Sequence, residues 1–417
     1  MGVATCHDGR MREGHAADGA LGLDGLLDWN QARFVARTAG RALAERNARL
    51  DESAGAHLAQ PLLTVQDDPA TDSSALDGYA VCGEGPWQLV DLAEGVALSP
   101  HCCCKVLAGM PIPLHTDSVI HHHHAVVETR SGGATIITAR DELTGVPDES
   151  ARPAFGHGIV RQGERAHGGS QLITAGARIT PAVLALAAST GHDSLTVIPP
   201  PRVGTLILGA ELLDRGLPRF GRPRDALGHT IPAFIGELGA RGFPPTRAPD
   251  SPQLLLDEIN DANVDILITT GSTAPGPNSH LRQVLRDLGA HWLVDGVMVQ
   301  PGAPMLMARL PDDRLLIGLP GDPIGALCAL MTLATPLIMA MRQDPTPPAR
   351  TVPLADDAPA AEFAEDTAIH PVRIDDGAAV LLAPDLHGWA MAHSYVVAPP
   401  GTGVRGDTLL VLDHLGR

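Results

Sequence analysis

The chain has 417 residues, of which 44% are hydrophobic and 19% charged, and its 30 Lys and Arg against 48 Asp and Glu give a net charge of −18. This length exceeds the roughly 150 to 200 residues of an ordinary domain, so two to four domains are expected. The negative charge would repel nucleic-acid phosphates and anionic lipid surfaces, and no uninterrupted apolar run of about 18 residues suggests a membrane span. We therefore expect neither a nucleic-acid partner nor a membrane.

The cysteines and the N-terminal residues bear on the cellular location. Six cysteines, three of them consecutive at Cys102, Cys103 and Cys104, do not resemble the disulfide framework of a secreted protein. The first residues include acidic side chains and lack the apolar core of a signal peptide. Reduced thiols and a cytoplasmic location are expected.

The first part of the chain divides into a leader and a helical segment. Residues 1–27 are Gly-rich without sustained periodicity, which predicts a disordered leader. From Asp28 to His57, the residues Phe34, Leu43 and Leu50 fall at approximately helical spacing in a stretch rich in Ala, Arg and Leu. One or two helices are predicted there.

The middle of the chain predicts short strands and one well-marked helix. Residues 80–155 contain short apolar runs between Gly, Pro and Asp, which is typical of a small β domain. Thr180 is placed to cap a helix that begins with Pro181 and ends before Gly191, and a strand follows. We assign 28–79 and 156–198 together to a helical linking domain.

The chain changes character at about residue 199. Buried-strand runs at 203–209, 264–271 and 315–320 alternate with helical stretches at 230–240, 280–290 and 324–341. This alternation predicts an α/β domain over 199–345, with a mostly parallel sheet and helices on both faces. A Pro-rich linker and further apolar runs predict a C-terminal β domain over 346–417.

Two stretches of the α/β domain have the form strand, Gly-containing turn, helix: ILITTGSTAPGPNSHLRQVL and LLIGLPGDPIGALCAL. Such turns place backbone N–H groups at the carboxyl edge of a sheet, where an oxyanion or phosphate can be held. Each turn taken alone could equally be an ordinary loop, in which Gly and Pro only reverse the chain.

Several motifs occur in an order that resembles the molybdopterin molybdenumtransferase (MoeA) family, which includes the E domain of gephyrin. They are DSSALDGYAV at 72–81, GMPIP at 109–113, RQGER at 161–165, GAELL at 209–213, TTGSTAPG at 269–276, QPGAP at 300–304 and GLPGDP at 318–323. The resemblance implies an α/β plus β fold with a MogA-like α/β domain, a small β domain and a C-terminal β-barrel-like domain. It also implies a homodimer of elongated four-domain subunits, with a cleft between the α/β domain of one subunit and its neighbour.

In such proteins an adenylated pterin dithiolate binds in the cleft, molybdate is inserted with Mg²⁺ present, and AMP is released. Molybdopterin and molybdate would thus be substrates, and the partner of this chain would be a small phosphorylated molecule. The resemblance and the turn pattern together nominate catalytic candidates: Asp77, Glu211, Asp225 and His280. Of these, Glu211 and Asp225 are also the candidate Mg²⁺ ligands, because hard cations prefer oxygen ligands.

The same motifs nominate contacts to the substrate or its phosphates: Ser74, Gly78, Tyr79, Thr270, Gly271, Ser272, Gly276, Ser279, Pro301, Gly302, Gly321 and Asp322. Other interpretations stay open for some candidates. Asp77 could brace a turn and Tyr79 could anchor a strand. His280 could be an exposed histidine at a helix start.

The sequence departs from the family pattern at groups that would hold an oxyanion or help to hold Mg²⁺. Ala210 stands for an Asp, Ala274 and Gly325 stand for Ser, Ala303 stands for a Lys, and the usually basic position before Pro301 is Gln300. Three functions therefore remain open: a working molybdenum insertase, an enzyme of the same fold recruited to molybdenum-independent chemistry on another phosphorylated or nucleotide-like substrate, and a non-catalytic binding or scaffold protein.

Two clusters could suggest a soft-metal site, namely Cys102–Cys104 and His121–His124, because thiolate and imidazole bind Zn²⁺ and Cu⁺. Consecutive strand residues point to opposite faces, so at most Cys102 with Cys104, and two of the histidines, should converge. A buried cysteine segment and a solvated histidine loop are the favoured alternatives.

Overall fold

The computed structural model describes residues 26–92, 95–140, 145–148, 153–248, 251–274 and 279–413. Contacts within the chain divide it into two compact units. The larger unit comprises Met1–Arg46, Gly55–His57 and Ile198–Arg417, and the smaller unit comprises Asn47–Ala54 and Leu58–Val197. Each unit is described by itself below.

The helices of the described residues are α1 (Trp29–Ala39), α2 (Pro181–Ser189), α3 (Leu227–Glu237), α4 (Pro252–Asp261), α5 (His280–Asp287), α6 (Pro323–Ala329), α7 (Thr335–Met341) and α8 (Leu386–Met391). Short 3₁₀ turns lie at Leu50–Glu52 and His122–His124, and a π-helical turn at Leu330–Ala334 joins α6 to α7.

The strands before residue 200 are β1 (Leu27–Asp28), β2 (Arg46–Arg49), β3 (His57–Leu58), β4 (Leu62–Leu63), β5 (Ser73–Ser74), β6 (Gly78–Cys82), β7 (Trp87–Leu89), β8 (Cys102–Val106), β9 (Ser118–His121), β10 (Ala125–Thr129), β11 (Thr135–Ala139), β12 (Ile159–Val160), β13 (Gln171–Ile173) and β14 (Ser194–Ile198).

The strands after residue 200 are β15 (Arg202–Leu208), β16 (Arg241–Gly242), β17 (Thr246–Ala248), β18 (Ile266–Thr270), β19 (His291–Asp295), β20 (Val297–Gln300), β21 (Leu306–Arg309), β22 (Leu315–Leu319), β23 (Arg350–Pro353), β24 (Thr367–Asp375), β25 (Ala378–Leu381), β26 (Ser394–Ala398) and β27 (Thr408–Asp413).

The smaller unit is built on a six-stranded sheet with the order β10-β11-β7-β8-β6-β9. Alternate residues of β6 face opposite sides of this sheet, as the two-residue period of a strand requires. Tyr79 and Val81 pack with Trp87 and Ile120 on one face, while Ala80 packs with Val119 on the other. Burial of both faces explains why the strands of this region are short apolar runs.

Helix α2 confirms the capping signals read from the sequence. The Thr180 side chain accepts a hydrogen bond from the backbone N–H of Val183, and Pro181 occupies the first helical turn. The helix ends at Ser189, and Gly191 has a φ of +93°. Glycine tolerates this left-handed conformation without a steric penalty, so it terminates the helix here.

The α/β sheet of the larger unit has the order β16-β15-β18-β22-β21-β19, with β17 also paired to β15. Strands β15, β18 and β22 are mutually parallel. Side chains on one face pack with α3, α6 and α7, and side chains on the other pack with α4 and α5. The predicted parallel sheet with helices on both faces is confirmed.

The helical stretch Pro323–Met341 is long and apolar enough to cross a membrane by length and composition alone. It is 72% buried inside the protein, with its side chains in the largest apolar core. An equally apolar composition is expected of a helix that is buried in a protein core beside a sheet.

The C-terminal strands curve into a barrel-like sheet. Strand β24 pairs with β25 and β26, and β27 joins β26 to β23. A bridge between Leu354 and Ala379 connects the end of β23 to β25 and closes the circuit. Val372, Val396 and Val411 fill the interior. This closure leaves fewer unpaired strand edges, and it agrees with the predicted barrel-like domain.

The beginning of the chain agrees only in part with the sequence-based prediction. Of the one or two helices predicted between Asp28 and His57, α1 is present, with a 3₁₀ turn at Leu50–Glu52, but Arg46–Arg49 forms a strand that pairs with β14. Tertiary pairing overrides the helix propensity of this Arg- and Ala-containing stretch. Leu27, assigned to the leader, is buried and pairs with Val297, while residues 1–25 lie outside the described residues.

Candidate functional site

The carboxyl ends of three parallel strands meet at one edge of the α/β sheet. Ile207, Thr270 and Leu319 lie side by side in β15, β18 and β22. The chain leaves these strands through Gly209, Gly271 and Gly321, of which Gly209 and Gly271 have φ values of +130° and +76°. Glycine adopts such positive φ values without a steric penalty, so these residues favour the turns locally.

The backbone of these turns is open to a ligand. A Cβ built on Gly271 would come no closer than 3.9 Å to the carbonyl oxygen of Leu208, and a Cβ on Gly321 no closer than 3.9 Å to the Cα of Gly271. Two adjacent turns therefore expose main chain rather than side chain. The Gly271 N–H itself donates to the carbonyl of Leu319 at 2.9 Å. An oxyanion at this edge would therefore meet the other N–H groups of the turns.

The hydroxyl groups predicted to contact substrate in the β18 turn are partly used to brace it. Thr270 is buried, and its hydroxyl accepts a hydrogen bond of 3.3 Å from the Leu208 N–H. The hydroxyl of Ser279, also buried, donates to the carbonyl of Ser272 at 2.6 Å. Ser272 itself is half-buried with a φ of +54°. Gly276 lies outside the described residues.

Arg282 was not identified from the sequence but supports the same turn. Its Nε donates to the carbonyl of Thr273 at 2.6 Å, and its Nη2 is hydrogen bonded to Asp295. The guanidinium also lies over the ring of Trp292, with Cζ 5.3 Å from the ring centroid. The hydrogen-bond partners of Arg282 lie 9 and 13 residues away in the sequence. The only sequence signal for its role is therefore that a basic residue lies in the first turn of α5.

The segment from Gly209 to Asp225 returns across the end of β15. Glu211 is exposed, and its carboxylate lies over Gly209, where a built Cβ would be 2.8 Å from Oε1. Arg222 donates through Nε to the carbonyl of Glu211 at 3.0 Å and through Nη2 to that of Ala210 at 3.1 Å. This arginine, which sequence reasoning missed, brings positive charge to the position where a family carboxylate is lost.

Asp225 is held by protein donors at both carboxylate oxygens. Only 4% exposed, it accepts at Oδ1 from the N–H groups of Leu227 and Gly228, at 3.0 and 2.9 Å. Its Oδ2 pairs with Nη2 of Arg247 at 2.5 Å. The carboxylate thus holds the start of α3 and neutralises an arginine.

This arrangement does not fit Mg²⁺, which would require free oxygens on both predicted ligands. Asp225 has an arginine where a cation would bind, and Glu211 is exposed. The catalytic roles of Glu211 and Asp225 stay predictions. The geometry favours a positioning role for Asp225.

The QPGAP turn packs against the start of α6, the helix that follows GLPGDP. A Cβ on Gly302 would lie 2.9 Å from the carbonyl oxygen of Gly325, and one on Gly325 would lie 3.4 Å from the Cα of Gly302. Pro301 is half-buried beside this contact. Asp322 is exposed and caps α6 by accepting from the Gly325 N–H at 2.6 Å. Its carboxylate therefore satisfies a donor that an anion could otherwise use.

His280 is the first residue of α5 and is half-buried. Its neighbour Ser279 precedes the helix without forming a side-chain cap. The structure places His280 directly after the β18 turn, as the sequence predicted. Its acid–base role stays a prediction.

The candidate residues of the smaller unit surround the amino end of β6. Asp77 is exposed and accepts at Oδ1 from the Ala108 N–H at 2.8 Å. Ser74 is buried, and its hydroxyl donates to the carbonyl of Leu76 at 2.6 Å. Tyr79 lies in the core of the sheet. A Cβ on Gly78 would overlap the carbonyl oxygen of Ile120.

These contacts separate two kinds of candidate. Gly78, Tyr79 and Ser74 have packing or backbone contacts that explain their identity without a ligand. Asp77 is braced at one oxygen and exposed, so it is the group of this motif best placed to meet a substrate. All four stay predictions as site residues.

The histidine run adjoins Asp77 and differs from the sequence-based expectation. One nitrogen from each imidazole of His121, His122 and His123 lies within 4.8 Å of the other two. The expectation that at most two would converge is wrong, because β9 ends at His121 and a 3₁₀ turn follows. Burial, followed by the neighbouring imidazoles, lowers the pKa of His121, while Asp77 acts in the opposite direction.

The cysteine run is a buried segment of β8, as favoured from the sequence. Cys103 and Cys104 are buried in the cores on opposite faces of the sheet, and Cys102 is half-buried. Burial raises the pKa of the Cys103 thiol to about 12, raises that of Cys104, and raises that of Cys328 in the larger unit to about 12.

In native protein at pH 8, Cys102 is therefore expected to react with a thiol reagent at least about 100-fold faster than Cys103 and Cys328. A pKa near 12 leaves about one thiolate in ten thousand at this pH, and burial also hinders access. Tandem mass spectrometry of the labelled peptides, with guanidinium-unfolded protein as the control, measures the rates. Equal native rates at the three sites would contradict the assignment of Cys103 and Cys328 to the core.

Two family models match most of the chain. The model described as the MoeA N-terminal region (domain I and II) matches residues 28–191, and the probable molybdopterin binding domain matches residues 204–340. A molybdopterin molybdenumtransferase of Bacillus subtilis is 30% identical over 318 residues, which cover 72% of this chain and 71% of the relative. The enzyme of that name from Synechococcus elongatus is 27% identical over 340 residues, or 75% and 79% of the two chains.

A solved structure shows the same fold. The molybdopterin biosynthesis moeA protein of Pyrococcus horikoshii aligns with a TM-score of 0.68 at 19% identity, covering 93% of this chain and 98% of its own. The architecture is thus shared with a known protein. The chain belongs to the molybdopterin molybdenumtransferase family.

Proposed function

We propose that this protein is a transferase of molybdenum cofactor biosynthesis that binds an adenylated or phosphorylated pterin and inserts molybdate into it with release of AMP. The observation that carries the proposal is the pair of glycine turns with open space around them, Gly271 and Gly321, which follow adjacent parallel strands. Backbone N–H groups at such an edge suit phosphate oxygens. The family's curated members carry the corresponding name.

Positive charge near these turns comes from the 209–225 segment. Arg222 lies against the carbonyls of Ala210 and Glu211, directly after β15. Arg224 donates from Nη1 to the Gly216 carbonyl, and its Nε is buried without a hydrogen-bond partner in the described structure. In the proposal these arginines take over part of the anion binding that Ala303 and Gln300 no longer provide.

The protein is further proposed to act in the cytoplasm as a homodimer, the arrangement that the family resemblance implies. A sedimentation experiment on purified protein is expected to give twice the chain mass of 43.5 kDa. A monomer at all concentrations would remove the cleft between subunits from the proposal.

Complementation tests the reaction. The gene is expected to restore molybdoenzyme activity in an insertase-deficient bacterial strain, and the purified protein to release AMP from adenylated molybdopterin only when molybdate is added. Replacing Glu211 by Gln should lower this activity at least tenfold, since about 1.5 to 3 kcal/mol of charge-assisted interaction would be lost. The matched control is Asp261→Asn, at an exposed carboxylate that ends α4.

Arg222→Gln is expected to lower the same activity at least tenfold, because a neutral amide cannot supply the charge of a guanidinium. Arg219→Gln, an exposed arginine of the same segment, serves as the control and should retain activity. Equal activity of the two variants would show that Arg222 does not bind the substrate anion.

A second function is favoured by a specific observation. Asp322 adds negative charge at the start of α6 and accepts from the Gly325 N–H. Ala303 stands where the family has a Lys that would hold molybdate, and Ala210 stands where it has a carboxylate that would help to hold Mg²⁺. An enzyme recruited to molybdenum-independent chemistry on a phosphorylated or nucleotide-like substrate would show these changes. A folded dimer that fails to complement yet converts such a substrate without molybdate would establish it. Ligand binding without any product would indicate a non-catalytic protein.

A further inference from the structure

The histidine run at the end of β9 is an unusual surface for a strand terminus. His121 is the last residue of β9 and pairs with Gly78 of β6. His122, His123 and His124 form a 3₁₀ turn before β10 begins at Ala125. A 3₁₀ turn rotates successive side chains by about 120°, so they do not alternate across the sheet as strand residues do.

The turn brings three imidazoles together. The ring centroids of His121 and His122 are 4.4 Å apart, those of His122 and His123 are 4.0 Å apart, and those of His121 and His123 are 5.0 Å apart. One nitrogen of each ring lies within 4.8 Å of the other two. Ligand nitrogens around a tetrahedral Zn²⁺ are about 3.3 Å from one another, as Zn–N bonds of about 2.0 Å require. Small rotations of the imidazole side chains would bring the three nitrogens from within 4.8 Å to about 3.3 Å of one another.

The hydrogen bonds of the cluster also suit metal binding. Nδ1 of His122 lies 3.1 Å from the carbonyl oxygen of Asp77. A carbonyl can only accept, so Nδ1 carries the proton and Nε2 keeps its lone pair. Metal-binding histidines commonly use one nitrogen for the metal and donate from the other to a carbonyl or carboxylate.

His121 would have to give up one contact on binding. Its Nδ1 accepts from the His123 N–H at 3.3 Å, a long hydrogen bond. A metal on either ring nitrogen of His121 replaces this contact, either by taking the Nδ1 lone pair or by requiring a proton there. His123 and His122 are exposed, so solvent and a metal ion can reach both rings.

We propose that His121, His122 and His123 form a binding site for a divalent ion of the late first transition row, with Zn²⁺ as the first choice. Neutral imidazole is a preferred ligand of Zn²⁺, Ni²⁺ and Cu²⁺, whereas Mg²⁺ prefers oxygen. The Asp77 carboxylate beside the cluster and the net charge of −18 favour a cation at this surface. A water molecule would complete a tetrahedral site. The proposal does not depend on the proposed transferase function.

Calorimetric titration of the full chain with Zn²⁺ at neutral pH tests the site. One ion is expected per chain, with binding weakened at least tenfold in His122→Gln and in His123→Gln. His124→Gln, in the same run but outside the three-histidine group, should change the affinity less than threefold. Cys102→Ser should also leave it unchanged, which separates this cluster from the thiols of β8. Equal effects of all four substitutions, or no binding by the native protein, would overturn the proposal.

A run of histidines can also chelate metal as an unfolded chain, and a second measurement distinguishes the two cases. If the folded cluster binds, Zn²⁺ raises the melting temperature of the native protein, because a ligand that binds only the folded state stabilises it. This rise should disappear in His122→Gln and persist in His124→Gln. Affinity that is equal in native protein and in protein unfolded by urea would show simple chelation by the run and overturn the proposal.

Discussion

Replacing Gly78 by Ala is expected to destabilise the smaller unit by on the order of 3 kcal/mol or more. The methyl group would overlap the Ile120 carbonyl oxygen in the adjacent strand β9 and approach the Cα of His121 at 3.1 Å. Because the obstacle is backbone and not a flexible side chain, the two strands must separate or shift. Separation of β6 from β9 would also displace Asp77, which directly precedes β6.

Gly168→Ala is the matched control for this prediction. It lies in the same unit at an exposed position, and its new methyl group would meet Gln66 and Asp67 at 3.4 to 3.6 Å, which is ordinary van der Waals contact. Its effect should fall within about 0.5 kcal/mol. Thermal unfolding by circular dichroism and hydrogen exchange of the β6 and β9 amides measure the two variants. Unchanged protection of these amides in Gly78→Ala would contradict the overlap.

The second large effect is expected at the Asp225–Arg247 pair. Removing the guanidinium in Arg247→Met leaves a carboxylate that is 4% exposed without its counter-ion, which should cost about 3 kcal/mol. The two backbone donors to Oδ1 remain and keep the loss below that of a fully isolated charge. Arg219→Met, an exposed arginine of the neighbouring segment, should cost less than about 0.5 kcal/mol.

A double variant isolates the pair. Arg247→Met with Asp225→Asn removes both charges and keeps an amide oxygen that can cap α3, so it should be more stable than Arg247→Met alone by about 2 kcal/mol. Denaturant unfolding of the native protein, Arg247→Met, Asp225→Asn and the double variant gives the coupling free energy between the two charges. Additive effects would show that the two charges do not interact in the folded state.

The same variants separate structure from chemistry at Asp225. A positioning role predicts that Asp225→Asn loses stability but keeps activity at permissive temperature, because the amide still accepts from Leu227 and Gly228. A stable Asp225→Asn protein without activity would instead assign the carboxylate to substrate binding.

Signals that act within a few residues were sufficient for much of the fold. The Thr180, Pro181 and Gly191 signals located α2, because capping and helix termination depend on adjacent backbone groups. The alternation of apolar strand runs with helices predicted the parallel order of β15, β18 and β22. The positive φ values of Gly209 and Gly271 likewise follow from a local turn requirement.

The sequence by itself thus determined the fold class, the family and the edge of the sheet that carries the glycine turns. The tertiary structure alone decided which groups at that edge are free. Arg247 meets Asp225 across 22 residues, Arg222 reaches Ala210 across 12, and Arg282 reaches Asp295 across 13. Hydrogen-bond partners of this kind depend on how the chain folds back, and neither periodicity nor propensity encodes them.

The same limit explains two of the departures from the predictions. Arg46–Arg49 became a strand because β14 offers a partner nearly 150 residues away, against a local preference for helix. The three histidines converge because β9 ends at His121 and a 3₁₀ turn follows. The run VIHHHHAVV looks like a continuous strand and does not predict this turn. Local sequence specifies what a segment prefers, and the contacts of the folded chain select the conformation and the partners that each side chain finally has.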